Sequence, residues 1–292
     1  MCRLLWHPCI RGRLDVPNLR GHSVKDLNNK VVALTGAGSG IGRGTAMALV
    51  GQGARLALAD INEEGLNETA RMVSDAGGTV STNVLDVSSR TSVDQWATEV
   101  MSQHGQADVL INNAGVTLAA IGAEQSHEDV AWVMDINFWG VVHGTRAFLP
   151  HMLERDSGHI VNISSIFGLF GVPSQSAYCA SKFAVRGYSD AIRVELRNTN
   201  VNLTVVHPGG IRTNIANSSR FKLQGEGAPS KEDFLAGANK MLARTEPTDA
   251  GEKIVKAILR NKARLLIGND AIFADIMQRL MPVRFPLRMA GN

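Results

Sequence analysis

The chain has 292 residues, of which 44% are hydrophobic and 20% are charged, and its net charge is +3. These are the proportions of an ordinary globular protein. A wholly disordered chain is excluded, because ample apolar surface is available to offset the entropy lost on ordering. The three cysteines, Cys2, Cys9 and Cys179, are too few for a disulfide-stapled fold and too far apart for a metal cluster. They suit a reducing compartment, so we predict a cytoplasmic protein without a metal site.

The amino-terminal segment carries the excess positive charge. Residues 1–22 contain four arginines and one aspartate, so the rest of the chain is neutral overall and nucleic-acid binding is not predicted. We predict that residues 1–25 are a disordered extension or the result of a translation start assigned too far upstream, with an organelle-targeting segment as the alternative. Residues 26–292 are predicted to form one domain. No stretch reaches the roughly 18 apolar residues of a membrane span, so no transmembrane segment is predicted.

Short apolar runs typical of strands alternate with helical runs from residue 31 onwards. The predicted strands are Val31–Leu34, Arg55–Ala59, Thr79–Leu85, Val109–Ile111, His159–Ile163, Val201–Val206 and Ala263–Ile267. The predicted helices are Gly42–Gln52, Asn62–Ala76, Val93–Gln103, a long segment from Glu128 to Leu153, Tyr178–Arg197 and Thr248–Asn261. Strands that are apolar throughout and alternate with helices predict a parallel sheet covered on both faces, which is a doubly wound α/β fold.

A glycine-rich segment, Thr35-Gly-Ala-Gly-Ser-Gly-Ile-Gly42, joins the first predicted strand to the first predicted helix. Glycines there let the backbone approach a pyrophosphate, and the helix N-terminus favours its negative charge. Glycines also form tight turns that bind nothing. The position between a strand and a helix favours a dinucleotide site.

Asp60 follows at the end of the second predicted strand. A carboxylate at this place can accept hydrogen bonds from an adenosine ribose and would repel a 2′-phosphate. No lysine or arginine precedes Gly40 within the glycine segment to offset that charge, so NAD is favoured over NADP. The alternative is that Asp60 caps the following helix.

Tyr178 and Lys182 are four positions apart, which places both on one face of a helix. A tyrosine with an unperturbed pKa of about 10 is a poor base at neutral pH. A nearby ammonium group favours the phenolate, and the pair can then move a proton to or from an alcohol. A lone pair of this kind usually reflects surface packing, so it gains weight only beside the other sites.

These features, together with Asn112-Asn-Ala-Gly115, Asn137, Ser165, Tyr178-Cys-Ala-Ser-Lys182 and Pro208-Gly209, resemble the short-chain dehydrogenase/reductase family in order and spacing. The resemblance runs from about Asn29 to Leu266. It implies a Rossmann-like, doubly wound parallel sheet of seven strands in the order 3-2-1-4-5-6-7, with helices on both faces. It also implies reversible hydride transfer between NAD(H) and an alcohol or carbonyl carbon, and a homodimer or homotetramer built on the helices near 128–153 and 178–197.

The resemblance further implies a role for each matching residue. Tyr178 would be the catalytic acid and base, and Lys182 would hold the nicotinamide ribose and lower the pKa of Tyr178. Ser165 would hydrogen-bond the substrate oxygen, with Ser164 as the alternative, and Asn137 would complete a water-linked proton relay from Lys182. The implied cofactor-binding residues are Gly36, Ser39, Gly40, Ile41, Gly42, Asp60, Asp86, Val87, Asn113, Ala114, Gly115, Tyr178, Lys182, Pro208, Gly209, Ile211 and Thr213.

Three segments are predicted to form the substrate pocket, namely 117–121, 166–172 and 214–227. The second is strongly apolar, which indicates a hydrophobic secondary alcohol or ketone; the alternative is that it packs beneath the pocket. The third belongs to a predicted substrate loop over about 212–245 and is a candidate lid or a mobile surface loop. Cys179 and the histidines at 143, 151, 159 and 207 are predicted to be structural or surface residues.

The apolar segment Ile272–Phe285, within a tail over about 270–292, is predicted to be a helix packed on the domain or on a partner rather than a membrane anchor. Three other readings stay open. The chain could be an NAD(H)-binding regulator without turnover, although a mere binder does not need the phenol of Tyr178. It could be an NADPH-dependent carbonyl reductase. It could also be a scaffold or membrane-surface protein that acts through this apolar segment.

Overall fold

The computed structural model describes residues 24, 26–224, 228–242 and 244–289. The predicted extension over residues 1–25 lies outside the described residues apart from Val24. The last three residues of the predicted tail lie outside them as well.

Seven parallel strands form the central sheet, as predicted. The strands in chain order are β1 (Val31–Thr35), β2 (Arg55–Asp60), β3 (Thr79–Val84), β4 (Val109–Asn112), β5 (Leu118–Ala119), β6 (Gly158–Ile163), β7 (Val201–Pro208), β8 (Arg220–Phe221) and β9 (Arg264–Ile267). The sheet order is β3-β2-β1-β4-β6-β7-β9, while β5 and β8 pair separately. With that short pair left out, this is the predicted order, and the doubly wound fold is confirmed.

Helices cover both faces of the sheet. They are α1 (Gly40–Val50), α2 (Glu63–Asp75), α3 (Arg90–His104), α4 (His127–Met134), α5 (Gly140–Glu154), α6 (Ser176–Glu195), α7 (Lys231–Leu242), α8 (Pro247–Leu259), α9 (Asn269–Leu280) and α10 (Arg284–Met289). The long helix predicted from Glu128 to Leu153 is interrupted, because a π-helical turn over Asp135–Trp139 separates α4 from α5. Such single turns are common at functional sites.

The core consists of two apolar layers, one on each face of the sheet. In β1, Val32 and Leu34 pack into the layer that contains α1 and α8, while Val31 and Ala33 pack into the layer that contains α3 and α5. Successive strand residues point to opposite faces, so a strand buried on both faces has to be apolar at every position. This explains why the alternation of apolar runs predicted the fold.

The prediction that every strand is apolar throughout is wrong for β3. This strand lies at the edge of the sheet, reads Thr-Val-Ser-Thr-Asn-Val, and is half-buried or exposed along its whole length. Only one neighbour covers an edge strand, so polar side chains there reach water and discourage pairing with another chain.

Candidate functional site

A cleft of about 1190 Å³ lies at the carboxyl ends of the central strands. Parallel sheets bind ligands at this edge, at the place where the strand order reverses, here between β1 and β4. All the predicted catalytic and cofactor-binding residues line the cleft except Gly42 and Asn137. The fold therefore brings together side chains from positions 36 to 213.

The turn after β1 is the tightest part of the cleft. Gly36 has φ +65°, and a Cβ built on it would lie 2.8 Å from the backbone N and Cα of Ala114. A Cβ on Gly42 would lie 1.9 Å from the carbonyl oxygen of Gly36. Gly42, although predicted to bind the cofactor, does not line the cleft; the absence of a side chain there instead lets α1 pack against the turn.

Asn113 joins the segment after β4 to this turn. Its side-chain Nδ2 donates to the carbonyl oxygens of Thr35 at 3.0 Å and Gly36 at 2.9 Å. The Thr35 hydroxyl in turn accepts from the backbone N of Asn113 at 3.0 Å and of Ala114 at 3.2 Å. These four hydrogen bonds fix the distance between the two walls of the cleft.

Asp60 holds the opposite side of the glycine turn. Its Oδ2 accepts from the backbone N of Gly38 at 2.8 Å, and its Oδ1 accepts from the backbone N of Asn62 at 2.9 Å. The alternative role as a helix cap is wrong, because Asn62 is the N-cap of α2 and its side chain accepts from Gly65 N at 3.0 Å.

Arg43 directly follows the glycine segment in the sequence, but its guanidinium already forms a hydrogen bond and an ion pair within the protein. It donates to the carbonyl oxygen of Gly38 at 2.6 Å and forms an ion pair with Glu68 at 2.6 Å. Among the described residues that line the cleft, Lys182 and Arg244 are the only lysine and arginine. The turn, the carboxylate of Asp60 and the open space between the walls fit a dinucleotide.

Tyr178 and Ser165 face each other across the cleft, on α6 and directly after β6. Burial raises the pKa of Tyr178 to about 12, and hydrogen bonding to the Ser165 side chain opposes this shift only in part. The phenol is therefore protonated at neutral pH in the protein as described. The Ser165 hydroxyl also accepts from the backbone N of Phe167 at 3.1 Å, which fixes its direction.

Lys182 is buried beneath Tyr178, and burial lowers its pKa to about 8. Its Nζ donates to the carbonyl oxygen of Ile163 at 3.1 Å and lies 5.7 Å from the centre of the Tyr178 ring. The lowered pKa of Tyr178 that the resemblance implies is not seen here. Desolvation of the phenol is the largest cause of its shift, and no contribution from Lys182 offsets it.

Asn137 lies in the π-helical turn and is fully buried. Its Oδ1 accepts from the backbone N of Val116 at 2.8 Å, and its Nδ2 donates to the carbonyl oxygen of Val116 at 2.9 Å and to Ser181 Oγ at 3.0 Å. These bonds tie α6 to the wall after β4. The proton relay implied for Asn137 stays a prediction.

Two further polar contacts support the catalytic face of α6. Ser164, the alternative to Ser165, donates from its hydroxyl to the carbonyl oxygen of Lys182 at 2.8 Å, so it holds the helix. His207 is buried, and one of its ring nitrogens lies 3.0 Å from the carbonyl oxygen of Ser165. Burial lowers the pKa of His207 to about 4, so this ring is neutral, in line with its predicted structural role.

The substrate side of the cleft has an aromatic wall. Phe167 packs edge-on against Tyr178 with ring centres 6.2 Å apart, and Phe170 follows at 5.9 Å from Phe167. Phe285 of α10 lies 5.0 Å from Phe170, and Phe273 of α9 lies 6.2 Å from Phe285. Ile166, Phe167, Phe170 and Val172 of the segment 166–172 thus line the cleft, while Leu169 and Phe170 also belong to a buried apolar cluster with Ala274 and Phe285.

Sequence reasoning missed the contribution of the carboxyl-terminal residues to the cleft. The predicted helical tail packs on the domain, and Phe273, Ala274 and Phe285 line the cleft. Asp270 was missed as well; its Oδ2 accepts from the backbone N of Gly210 at 2.7 Å and so holds the loop after β7. Periodicity showed the helix, but nothing in the sequence indicated which surface it would cover.

Within the described residues, the predicted lid segment contacts the rest of the domain through β8 and Lys222. Strand β8 pairs with β5 in parallel, and the guanidinium of Arg220 stacks 3.8 Å above the Trp132 ring. Asp129 is buried and forms ion pairs with both Arg220 and Lys222, and these contacts lower the pKa of its carboxyl group. Beyond the strand, the predicted substrate loop contains α7. The residues of this loop that line the cleft are Thr213, Asn214, Ile215, Ala216, Ser218, Asp233, Phe234, Gly237, Ala238 and Arg244.

No group of three His, Cys, Asp or Glu side chains that could hold a metal ion is present within the described ranges. In the same ranges, no helix is both long and apolar enough to cross a membrane. Cys179 is buried and forms no disulfide bond, and burial raises the pKa of its thiol.

Comparison with known proteins gives a consistent result. The family model of the short chain dehydrogenase matches residues 30–224. The Mycobacterium tuberculosis protein SadH, named as a candidate oxidoreductase, is 40% identical over 260 residues, which cover 88% of this chain and 93% of SadH. Human epidermal retinol dehydrogenase 2 is 35% identical over 270 residues, covering 91% of this chain and 82% of that protein.

Solved structures agree with the sequence comparisons. A short chain dehydrogenase/reductase from Burkholderia phymatum in complex with NAD has a TM-score of 0.79 at 32% identity, and the match covers 89% of this chain and 95% of that one. A metagenomic short-chain oxidoreductase in complex with NADP has a TM-score of 0.69 at 27% identity, covering 82% of this chain and 97% of that one. Relatives with either cofactor are therefore known.

Proposed function

The chain belongs to the short-chain dehydrogenase/reductase family, and from this premise we propose that it transfers hydride between NAD(H) and the alcohol or carbonyl carbon of a hydrophobic substrate. One observation carries the proposal. The phenol of Tyr178, the hydroxyl of Ser165 and the ammonium of Lys182 meet in the cleft that the glycine turn and Asp60 border.

The residues divide the chemistry between them. Bound NAD would supply the hydride acceptor, held by the glycine turn, Asp60 and the loop after β7. Ser165 would hydrogen-bond the substrate oxygen, and Tyr178 would give or take the proton on that oxygen. Because the phenol is protonated at neutral pH, it suits proton donation to a carbonyl in the reductive direction. In the oxidative direction, positive charge in the cleft would have to favour the phenolate.

NAD is the proposed cofactor rather than NADP. Asp60 presents its carboxylate at the end of β2, and Arg43, the nearby cation, is neutralised by Glu68. A 2′-phosphate brought to this place would meet a like charge without a free basic partner. Cytoplasmic localisation and the division into one domain with an amino-terminal extension remain proposals of the same kind.

The substrate is proposed to be a hydrophobic secondary alcohol or ketone. Phe167, Phe170 and Phe285 form an apolar wall that begins beside the catalytic phenol. Polar recognition of a small charged substrate would need basic groups near Ser165. Among the described residues lining the cleft, Lys182 and Arg244 are the only basic side chains, and Lys182 donates to the carbonyl oxygen of Ile163.

The test is NADH formation from NAD⁺ with a panel of hydrophobic secondary alcohols, run beside NADP⁺ and beside the variant Tyr178→Phe. We expect turnover with NAD⁺ that falls by a factor of about 10² to 10⁴ in the variant, the usual contribution of a positioned acid or base. NAD⁺ binding, measured by calorimetry, should be nearly unchanged. Binding without turnover of any substrate in the panel, in either direction, would favour the regulator reading instead.

A homodimer or homotetramer built on α5 and α6 is part of the proposal. Trp139, the last residue of the π-helical turn before α5, is 47% exposed, and Phe183 and Val194 on α6 are 40% and 62% exposed. Large apolar side chains at such exposure favour burial against a second copy. Light scattering should show an assembly larger than one chain, which Phe183→Glu would reduce.

A further inference from the structure

Large apolar side chains cover the outward face of α9. Ile272, Phe273, Ile276 and Leu280 are 45%, 56%, 51% and 72% exposed. At about 100° per residue, these four positions fall within an arc of about 100° on the helix. A surface helix normally directs polar residues to the solvent. The outward face of α9 is therefore apolar, where an ordinary surface helix is polar.

The same character continues beyond α9. Val283 and Leu287 are 73% and 69% exposed, so we define the C-terminal apolar surface as Ile272, Phe273, Ile276, Leu280, Val283 and Leu287. Three exposed arginines accompany it, at positions 279, 284 and 288.

The acidic residues of this segment pair with only one of the three arginines, Arg279. Asp270 is bonded to the backbone N of Gly210, and Asp275 is shared between Arg264 and Arg279. Within the described residues, neither Arg284 nor Arg288 has an ion pair. The surface is therefore apolar with two uncompensated positive charges.

This surface is continuous with the catalytic cleft. Phe273 is half exposed on the outside and also lines the cleft. From its ring, the aromatic wall leads through Phe285, Phe170 and Phe167 to Tyr178, with successive ring centres between 5.0 and 6.2 Å apart. An apolar molecule that leaves a lipid phase at Phe273 would meet apolar side chains as far as the reacting phenol.

We propose that the C-terminal apolar surface docks on the surface of a bilayer that contains anionic lipids, with α9 lying in the interface. A helix with large apolar residues on one side and arginines beside them has the composition of an interfacial helix. Anionic headgroups attract such arginines. Lipid docking stands on the surface alone, whereas delivery of a hydrophobic substrate to Tyr178 rests on the proposed function.

Charge favours lipid over a second copy of the chain as the occupant. In a twofold assembly the same patch packs against itself, which gathers the charges of Arg284 and Arg288 from both copies at one interface. The acidic residues of the segment, Asp270 and Asp275, are already bonded elsewhere. A second copy seated here would also cover Phe273 at the mouth of the cleft. An anionic bilayer instead offers complementary charge, and it leaves open the path along which apolar molecules arrive.

The experiment is co-sedimentation of the full chain with phosphatidylcholine vesicles, with and without phosphatidylserine. We expect sedimentation that requires phosphatidylserine. Replacing both arginines, as in Arg284→Gln with Arg288→Gln, should weaken partitioning by about 5-fold per residue, or about 25-fold for the pair. Leu280→Glu should weaken partitioning by at least about 10-fold, because the variant loses the free energy gained when the leucine side chain moves from water into the lipid.

Val84→Glu is the matched control, because Val84 is 60% exposed and lies on the edge strand β3, away from α9. It adds the same charge and should sediment like the parent chain. Wild-type protein that stays in the supernatant with both vesicles overturns the proposal, and so does Leu280→Glu that sediments like wild type. A smaller assembly of Leu280→Glu in light scattering, with no lipid binding by the parent, would instead assign the surface to a second copy.

Turnover of a short, water-soluble secondary alcohol separates this proposal from the proposed function. Leu280 does not line the cleft, so Leu280→Glu should turn over that substrate at the wild-type rate. Lipid binding by a protein that turns over nothing would contradict the proposed function and leave the docking surface standing.

Discussion

The substitution Gly36→Ala tests whether the glycine turn is held by close contact with the wall after β4. At φ +65°, an alanine is strained in the left-handed region, which costs about 1–2 kcal/mol. The new Cβ would also lie 2.8 Å from three atoms, namely the backbone N and Cα of Ala114 and the Nδ2 of Asn113. Two of these belong to the backbone of a hydrogen-bonded segment, so relief requires the segment to shift.

Gly77 provides the matched control. It also has a positive φ, +79°, but a Cβ built on it would have no heavy atom within 4 Å. Gly77→Ala should therefore lower the free energy of unfolding only by the cost of the strained backbone conformation, about 1–2 kcal/mol. Gly36→Ala should lower the free energy of unfolding by that amount and by a further ~1–3 kcal/mol, because its Cβ overpacks the turn. The predicted difference between the two variants is the steric contribution of the turn.

Urea denaturation of both variants, with the slope m compared as well as the midpoint, measures the free energy of unfolding. NAD⁺ binding by calorimetry provides the second measurement. We expect Gly36→Ala to be the less stable variant and the weaker binder, while Gly77→Ala binds NAD⁺ like wild type. Equal losses of stability in the two variants would refute the reasoning, because the contact with Ala114 would then contribute nothing.

Three further predictions concern cofactor choice, the loop after β7 and acid stability. Asp60→Ala should raise kcat/KM with NADP⁺ relative to NAD⁺ by at least about tenfold, because it removes a charge that repels the 2′-phosphate; an unchanged ratio would contradict this. Asp270→Ala should raise the KM for NAD⁺ severalfold by freeing the backbone N of Gly210, whereas Asp270→Asn, which retains an acceptor oxygen, should raise it less. Burial lowers the pKa of His159 and of His207 from 6.5 to about 4, so the unfolded chain binds more protons between these values and stability should fall as pH drops from 6.5 towards 4. The loss is roughly 3 kcal/mol per histidine, and His159→Gln should flatten the pH dependence in urea denaturation; an unchanged slope would remove His159 as a cause.

The sequence determined the order of the elements and the identity of the family. Strands buried on both faces must be apolar at every position, so the alternation of apolar runs and helices could be recognised without coordinates. The site motifs could be recognised from the sequence as well, because each depends on residue types within a short stretch. They are the glycine segment, Asp60, and the pair Tyr178 and Lys182. The edge strand β3 was predicted at the right place, but not its polar, half-exposed character, because burial there depends on a neighbour that the sheet edge lacks.

Only the tertiary structure decided which distant residues meet and how they are protonated. Asp60 bonds to Gly38, although its position in the sequence also suited a helix cap, and Asn137 bonds to Val116 and Ser181, which are 21 and 44 positions away in the sequence. The pKa of Tyr178 is raised because desolvation depends on everything packed around the phenol, not on the lysine four residues away. Likewise, periodicity predicted the carboxyl-terminal helix, but whether its apolar side faces the cleft, a partner or a lipid surface depends on three-dimensional packing. Short-range patterns reflect local physics, whereas burial and long-range contacts are properties of the whole fold.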